Sequence, residues 1–438
     1  MNRLRLLAFC AAVTGCAGSP TSVSDDGAPA LGKAAAGPTV TSTDPVEAPQ
    51  AVTIDVHVFG SGFDRGSKAD FQRGGVSDPK VHVNGTTYRS ASELVANITI
   101  AADAPTVAYD VAVTTSRGKK GIGTELFLVT IPLEPLSAPA GFSLAYDVGP
   151  TGLIVGDLYT GCGPGFAPAL WNQSRELTAL PPLLGTCGGA AHGVNESGVA
   201  VGSAYVGASS SQSVRWSPGP AGYVAEQLPA LPDGTDPGLW SINSSGWISS
   251  GNAPAVWIPG AGWQLLAKPT GATSCFATIL SNTGQATARC SIAGVVKGVT
   301  WATPAAVPSV LPLPVGATGA YPRGINSAGV IVGFATGAPG RAIRWTPSSA
   351  SWAVETLVDF GRGASALGMN EAGYIVGAAG WKTNVSIPVY WDPAGGLHPL
   401  DSANRPGEAL GVSEPDGGLI IGGYYMDRSG KAAVRWRP

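Results

Sequence analysis

The sequence predicts an all-β protein, a two-sheet sandwich followed by a seven-bladed β-propeller. Three observations predict it. Gly and Pro are abundant, 62 and 36 of 438 residues, which favours short strands joined by tight turns over long helices. The segment 51–130 carries apolar residues at alternate positions, the period of a half-buried strand. From 131 onward a unit of roughly 44 residues recurs, the period of propeller blades.

Composition limits the rest. Charged residues are 13% and the net charge is −3, so the chain is too apolar for disorder throughout and lacks the basic stripe of a nucleic-acid binder. No nucleic-acid partner is expected. No apolar run reaches the roughly 18–20 residues needed to span a bilayer.

The N-terminus reads as an address. Arg3 and Arg5 precede an apolar stretch, Leu6 to Val13. Val13-Thr14-Gly15-Cys16 then resembles a bacterial lipobox, whereas Cys10 follows bulky Phe9 and would leave with the signal peptide. The resemblance implies a signal peptide over 1–15 and lipidation at Cys16, hence an exported protein tethered to a membrane by acyl chains. Outer membrane or cell surface is the expected location, since Ala17 follows the cysteine. The alternative is an ordinary signal peptide, or a cytosolic start, with Cys16 incidental. Residues 16–50 are mostly small and polar and are expected to form a disordered, lipidated spacer, reaching about 30 Å as a flexible coil.

Cys162 and Cys187 lie 25 residues apart and Cys275 and Cys290 lie 15 apart. Neither spacing is that of a zinc or redox motif. Two local disulfides are expected, each contributing about 3 kcal/mol in a chain-entropy account, with buried free thiols as the alternative.

Between 51 and 130, alternation runs through Val52–Val58, Lys80–Val83, Leu94–Ile100, Tyr109–Thr114 and Glu125–Thr130, separated by turn residues. The Gly60-Ser61-Gly62-Phe63 turn, Ser67 to Phe71, Tyr109-Asp110-Val111 with Val113-Thr114, and Leu126-Phe127-Leu128-Val129 resemble the IPT/TIG branch of Ig-like domains. That resemblance implies a spacer or protein-binding module without catalytic residues. His57 and His82 have no partners at metal-ligand spacing and read as packing or surface residues.

The repeats occupy 131–438. Tryptophans recur at 171, 216, 257, 301, 345, 391 and 436, spaced 45, 41, 44, 44, 46 and 45 residues apart. About 20 residues before each lies a second signature, clearest at Asn195–Gly202, Asn326–Gly333 and Asn370–Gly377, with degenerate copies starting at Gly149, Asn243, Ser281 and Ser413. A Leu-x-x-Leu strand follows the tryptophan, as at Leu177–Leu180, Leu228–Leu231 and Leu397–Leu400. Each unit therefore reads as four short antiparallel strands, the first two joined by an Asn-x-x-Gly hairpin whose residues tolerate positive φ. The pattern resembles the extracellular HAF-type repeat, which implies no defined reaction. The last unit stops at Trp436 without its Leu strand, and Leu133-Glu134-Pro135-Leu136 supplies the same pattern. These residues are expected to pair with the C-terminal strand and close the ring.

The recurring tryptophans are expected to pack between blades. Among the others, Trp240, Trp247 and Trp263 fall in blade three and are candidate ligand-contact aromatics, with packing as the alternative; Trp352 and Trp381 are scattered. Sequence motifs of serine hydrolases, zincins, P-loops and complete EF-hands are absent. His192 and His398 stand in different blades. Asp147, Glu196, Glu371 and Glu414 sit beside hairpins and could converge as a glycosidase pair would, and Asp233-Gly234-Thr235-Asp236 could hold calcium but is better explained as a turn. No catalytic residue, metal or cofactor is expected. The expected function is a membrane-anchored surface protein with a non-catalytic binding, adhesion or scaffolding role, its partner a surface protein or a carbohydrate. The alternatives are a propeller enzyme acting on polysaccharide and a structural envelope component without a discrete ligand.

Overall fold

A computed structural model describes residues 37–139, 141–160, 165–183, 188–206, 210–349, 351–382, 385–428 and 430–438. Cys16, Cys162 and Cys187 lie outside them. The described chain is all-β; its only helical element is a single 3₁₀ turn, Pro415–Gly417. Residues 38–438 form one compact unit.

The N-terminal part is two facing sheets. One orders Thr39–Asp44, Val52–Ser61, Glu93–Ile100 and Val81–Ser90; the other orders Glu47–Pro49, Lys120–Thr130, Ala108–Thr114, Lys68–Arg73 and Val76–Ser77. Alternate residues of both, among them Val56, Val58, Phe71, Leu94, Ile98, Tyr109, Val111 and Phe127, are buried between them, and Phe71 meets Phe127 edge to face at 5.1 Å. The expected spacer boundary at residue 50 is corrected. Strands begin at Thr39, with Thr39–Asp44 pairing antiparallel to Asp44's partner His57 and beyond and Glu47–Pro49 pairing parallel to Leu128–Thr130. The composition of 39–49 is polar, but Val40 and Ala48 supply apolar anchors, 8% and 2% exposed, and the backbone gains ladder hydrogen bonds. Pairing, not apolar content, orders this segment.

Seven four-stranded antiparallel sheets follow among the described residues. Their first strands are Ser143–Val148, Gly189–Val194, Leu239–Ile242, Ala272–Leu280, Gly319–Ile325, Ala364–Met369 and Gly407–Val412. Consecutive sheets pack on one another, and the first strand of the first sheet packs on the last three strands of the seventh. The ring is thus closed, as in β-propellers. The seventh sheet takes its outer strand from upstream: Leu133–Pro135 pairs antiparallel with Val434–Trp436, the pairing that the missing Leu strand predicts. Only Ile131 and Pro132 separate it from the sandwich. Leu128 at the sandwich's end is fully buried in the cluster of Ile375, Val389 and Trp391, and Glu47 Oε1 accepts hydrogen bonds from Ser402 Oγ and Asn404 N, both 3.0 Å.

Six of the seven repeated tryptophans, at 171, 216, 301, 345, 391 and 436, are fully buried. Each indole Nε1 donates to a carbonyl in the connection entering its own sheet: Ser137, Pro181, Ala267, Pro312, Val358 and Asp401, at 2.6–2.9 Å. The indole satisfies its one donor while filling the space between sheets. The third sheet departs from the rule. Trp257 is half-buried, and Trp263, opposite it on the next strand, donates to Pro229 O at 2.8 Å.

Candidate functional site: the central funnel

The seven first strands line a central funnel of about 400 Å³, within the roughly 300–1,000 Å³ range of small-ligand sites. Two layers of residues build it, and both follow from the repeated signature.

The first layer is the hairpin belt. Asn195, Asn243, Asn326 and Asn370 are buried, and their Oδ1 atoms accept from the backbone N–H four residues on, Val199, Trp247, Val330 and Tyr374, at 2.8–3.0 Å. Such Asx contacts hold the tight turn, with Gly198, Gly246, Gly329 and Gly373 at positive φ. The amide Nδ2 groups of Asn195, Asn243 and Asn370 reach the next sheet, donating to Asn243 O, Ser281 O and Ser413 O. Carboxylates complete the circuit. Asp147 Oδ2 accepts from Val194 N of the second sheet. Glu371 accepts from Ser327 N and Oγ of the fifth sheet and from Asn282 Nδ2 of the fourth, and Glu414 Oε1 accepts from Glu371 N. Glu414 N then donates to Pro150 O, joining the seventh sheet to the first.

Of the four carboxylates that sequence reasoning grouped, Asp147, Glu371 and Glu414 line the funnel, and the bonds they carry join one sheet to another, Glu371 reaching both the fifth and the fourth. Glu196 is exposed and outside the lining. Burial lifts Asp147 to about 6.

The second layer is a ring of β-bulges. In every sheet the register between the first two strands slips by one residue at the same place. A bulge leaves one residue unpaired and re-aims its side chain. The slip falls at Tyr146, His192, Trp240–Ser241, Ala277–Thr278, Arg323, Leu367 and Leu410 in turn. All but the fourth pair line the funnel; Thr278 is buried and donates to Ala253 O. Opposite the bulge in five sheets stands a glycine, Gly156, Gly202, Gly333, Gly377 or Gly423, where a Cβ would come within 1.8–2.1 Å of a first-strand carbonyl. The final glycine of the repeated signature thus belongs to the bulge.

This layer does not repeat chemically. Tyr146, His192 and Trp240 form a continuous aromatic wall, ring centroids 5.1 and 5.4 Å apart. His192 Nδ1 faces Leu239 O at 3.0 Å and so must carry the proton there, while burial pulls the imidazole below its usual value and keeps it neutral. Leu367 and Leu410 form an aliphatic wall, and Arg323 stands between. Glu408, Tyr424 and Lys431 complete the lining, with Lys431 Nζ 4.0 Å from the Tyr424 ring centroid. Behind the aromatic wall, Tyr146 OH donates to Asp157 Oδ2 at 3.3 Å, and burial lifts Asp157 to about 7.

The three candidate aromatics separate. Trp240 lines the funnel and is 36% exposed. Trp247 packs with the core between the third and fourth sheets, against Gly284, and Trp263 packs edge to face on Trp257. Both are half-buried and lie outside the funnel lining. Trp381 is buried and Trp352 packs on the fifth sheet's core. Cys275 and Cys290 are paired across the first hairpin of the fourth sheet. The Asp233 segment is a turn: Thr235 N donates to Asp233 Oδ1 and Gly238 N to Asp236 Oδ1. Among the described residues no group of three or more His, Cys, Asp or Glu could hold a metal ion. Sequence reasoning missed Tyr146, Arg323, Leu367 and Glu408. The available signal was their column, three residues (five for Glu408) before the hairpin position, where otherwise similar repeats differ.

No family model matches the chain, and no curated protein does. Among solved structures, it is similar to a protein of unknown function from Bacteroides thetaiotaomicron (12% identity, TM-score 0.38, covering 92% of this chain and 98% of that one). It is also similar to YCF48 bound to D1 peptide (13%, 0.46, 70% and 100%) and to a puromycin hydrolase (13%, 0.45, 70% and 55%). At these scores the likenesses assign neither activity nor ligand.

Proposed function

We propose that the chain is a lipid-anchored envelope protein whose seven-bladed propeller binds a small ligand, or one end of a larger one, in its funnel without turning it over. The single observation that carries this reading is the bulge ring. A repeated backbone device aims non-repeating side chains into one cavity, whereas the carboxylates at the hairpin rim are engaged in bonds between sheets. In this reading the Ig-like sandwich is a rigid stand fused to the propeller through Leu128 and Glu47, and Cys16 carries the acyl chains that hold the whole on the outer membrane or cell surface. The IPT/TIG and HAF-type resemblances fit an extracellular scaffold of this kind.

The test is binding of envelope oligosaccharides and peptides to the full chain, alongside a plug variant, Leu367→Trp. Selective binding that the plug removes, with no hydrolysis products, supports the reading. Binding indifferent to the plug, or turnover lost on replacing Glu371 or Glu414, contradicts it. Anchoring has its own readout. Cys16→Ala should release the protein from membranes, and continued attachment would refute lipidation there.

A further inference from the structure

We infer that the funnel takes a carboxylate carried on a ring, the carboxylate pairing with the Arg323 guanidinium and the ring lying against the Trp240–His192 wall. This rests on the reading of the funnel as the binding site and names what it recognises.

Arg323 is a cation that the protein positions without satisfying. Its Nε is buried with no hydrogen-bond partner among the described residues. The guanidinium lies over the ring of Phe334, 5.6 Å from its centroid; Phe334 stacks on Tyr321 at 4.9 Å and 8°; and Arg289 lies over Tyr321 at 5.8 Å. This series of contacts fixes the guanidinium before any ligand arrives, which lowers the ordering cost of binding. Burial and then the neighbouring Arg289 act against its charge, partly offset by Glu408. An incoming anion relieves that strain. A planar carboxylate matches the guanidinium fork, since both offer two parallel hydrogen-bonding positions.

The rest of the layer selects the body of the ligand. Tyr146, His192 and Trp240 supply an aromatic wall on three successive sheets, His192 tilted 35° to Trp240 and Tyr146 edge-on to His192, and Leu367 and Leu410 supply an aliphatic face on two others. Aromatic walls take the apolar face of a sugar or an aromatic ring. Neutral His192 adds no competing cation. At the rim, Glu371 and Glu414 already accept backbone N–H groups and would repel an anion there, which orients the carboxylate toward Arg323.

The two sources of such chemistry are sugar acids and aromatic carboxylates. The full-length protein is titrated with glucuronate and benzoate, with glucose and benzyl alcohol as their neutral counterparts, and with inorganic phosphate. Saturation-transfer NMR and tryptophan fluorescence are the readouts. At least one carboxylate should bind about tenfold or more tightly than its neutral counterpart, the size expected for a charged hydrogen-bonded contact. Arg323→Gln should erase that preference, Arg323→Lys should keep part of it, and Trp240→Ala should weaken both ring types. Glucuronate against benzoate tells the source. Equal binding of the neutral rings, a preference that survives Arg323→Gln, or phosphate outcompeting both carboxylates overturns the inference while leaving the funnel as a site. Absence of binding by every probe overturns the inference too, and the oligosaccharide and peptide panel then decides the funnel reading separately. Thermal melts of each variant identify a fold that has failed, in which case Arg323→Lys carries the comparison.

Discussion

The hairpin belt and the bulge ring lie about three residues apart on the same seven strands, yet they obey opposite rules. In the belt, buried asparagines repeat and their amides bond both their own turn and the next sheet. In the ring, only the backbone irregularity repeats, while the side chains run from aromatic through cationic to aliphatic. Where a repeat array keeps the residue, the residue holds sheets together. Where it keeps the backbone and varies the residue, the side chain is available to a ligand.

The comparison breaks most severely at the glycines. Gly333→Val forces a side chain into the Tyr321 carbonyl, and the fifth sheet can accommodate it only by losing its bulge. A loss of about 3–5 kcal/mol is expected, read as a large fall in the denaturation midpoint. A destabilisation below about 1 kcal/mol would mean that the bulge does not require glycine.

Belt substitutions come next. Asn370→Ala removes the acceptor for Tyr374 N, in a part-buried bond, and the donor to Ser413 O, in a buried one, at a cost of about 2–3 kcal/mol. Asn370→Asp is the sharper variant, because it keeps the acceptor and loses only the bond to the next sheet. It also buries a charge, so its deficit should shrink at low pH. A deficit independent of pH would contradict the assigned role of the amide.

A pH scan reads several sites together. Burial raises Glu47 from 4.5 to about 7, Asp157 from 3.8 to about 7 and Asp147 from 3.8 to about 6. The folded protein then binds more protons than the unfolded chain between about pH 4 and pH 7. Stability is fully present below the unfolded values and falls as pH rises through the folded ones. Asp401, also raised by burial, adds to this trend, while His192, lowered by burial, and Lys382, lowered by burial to about 8, work the other way. The melting temperature should therefore be higher at pH 5 than at pH 8. Glu47→Gln, which keeps the oxygen facing Ser402 and Asn404, should narrow that difference. A melting temperature that rises from pH 5 to pH 8 would refute the burial of these carboxyls.

Much of this was legible in the sequence. The tryptophan spacing predicts seven units, and the orphaned Leu133–Leu136 pattern predicts the closure that the Leu133–Trp436 register shows. Thr39–Pro49 was not legible, because ladder hydrogen bonds leave no apolar periodicity in an edge strand. The funnel was legible only as a set of carboxylates near hairpins. Which layer they occupy depends on the bulge, and a one-residue slip has no composition of its own; the glycine opposite it is its trace. That Trp263, and not Trp257, donates to the entering connection was hidden for a related reason, since the repeat spacing selects Trp257 and only the register across the two strands sets the two half-buried indoles side by side.

The smallest effect on stability is expected in the ring. Trp240 is 36% exposed, so Trp240→Ala should change stability by less than about 1 kcal/mol while weakening whatever the funnel binds. The most direct test of the division between the layers is to measure the melting temperature and ligand affinity of Trp240→Ala and of Asn195→Ala, a belt residue outside the funnel lining, side by side. The account predicts that the first loses affinity with its melting temperature nearly intact, and that the second loses several degrees while retaining affinity below its melting transition. The reverse pattern, or equal losses of both properties in both variants, would contradict it.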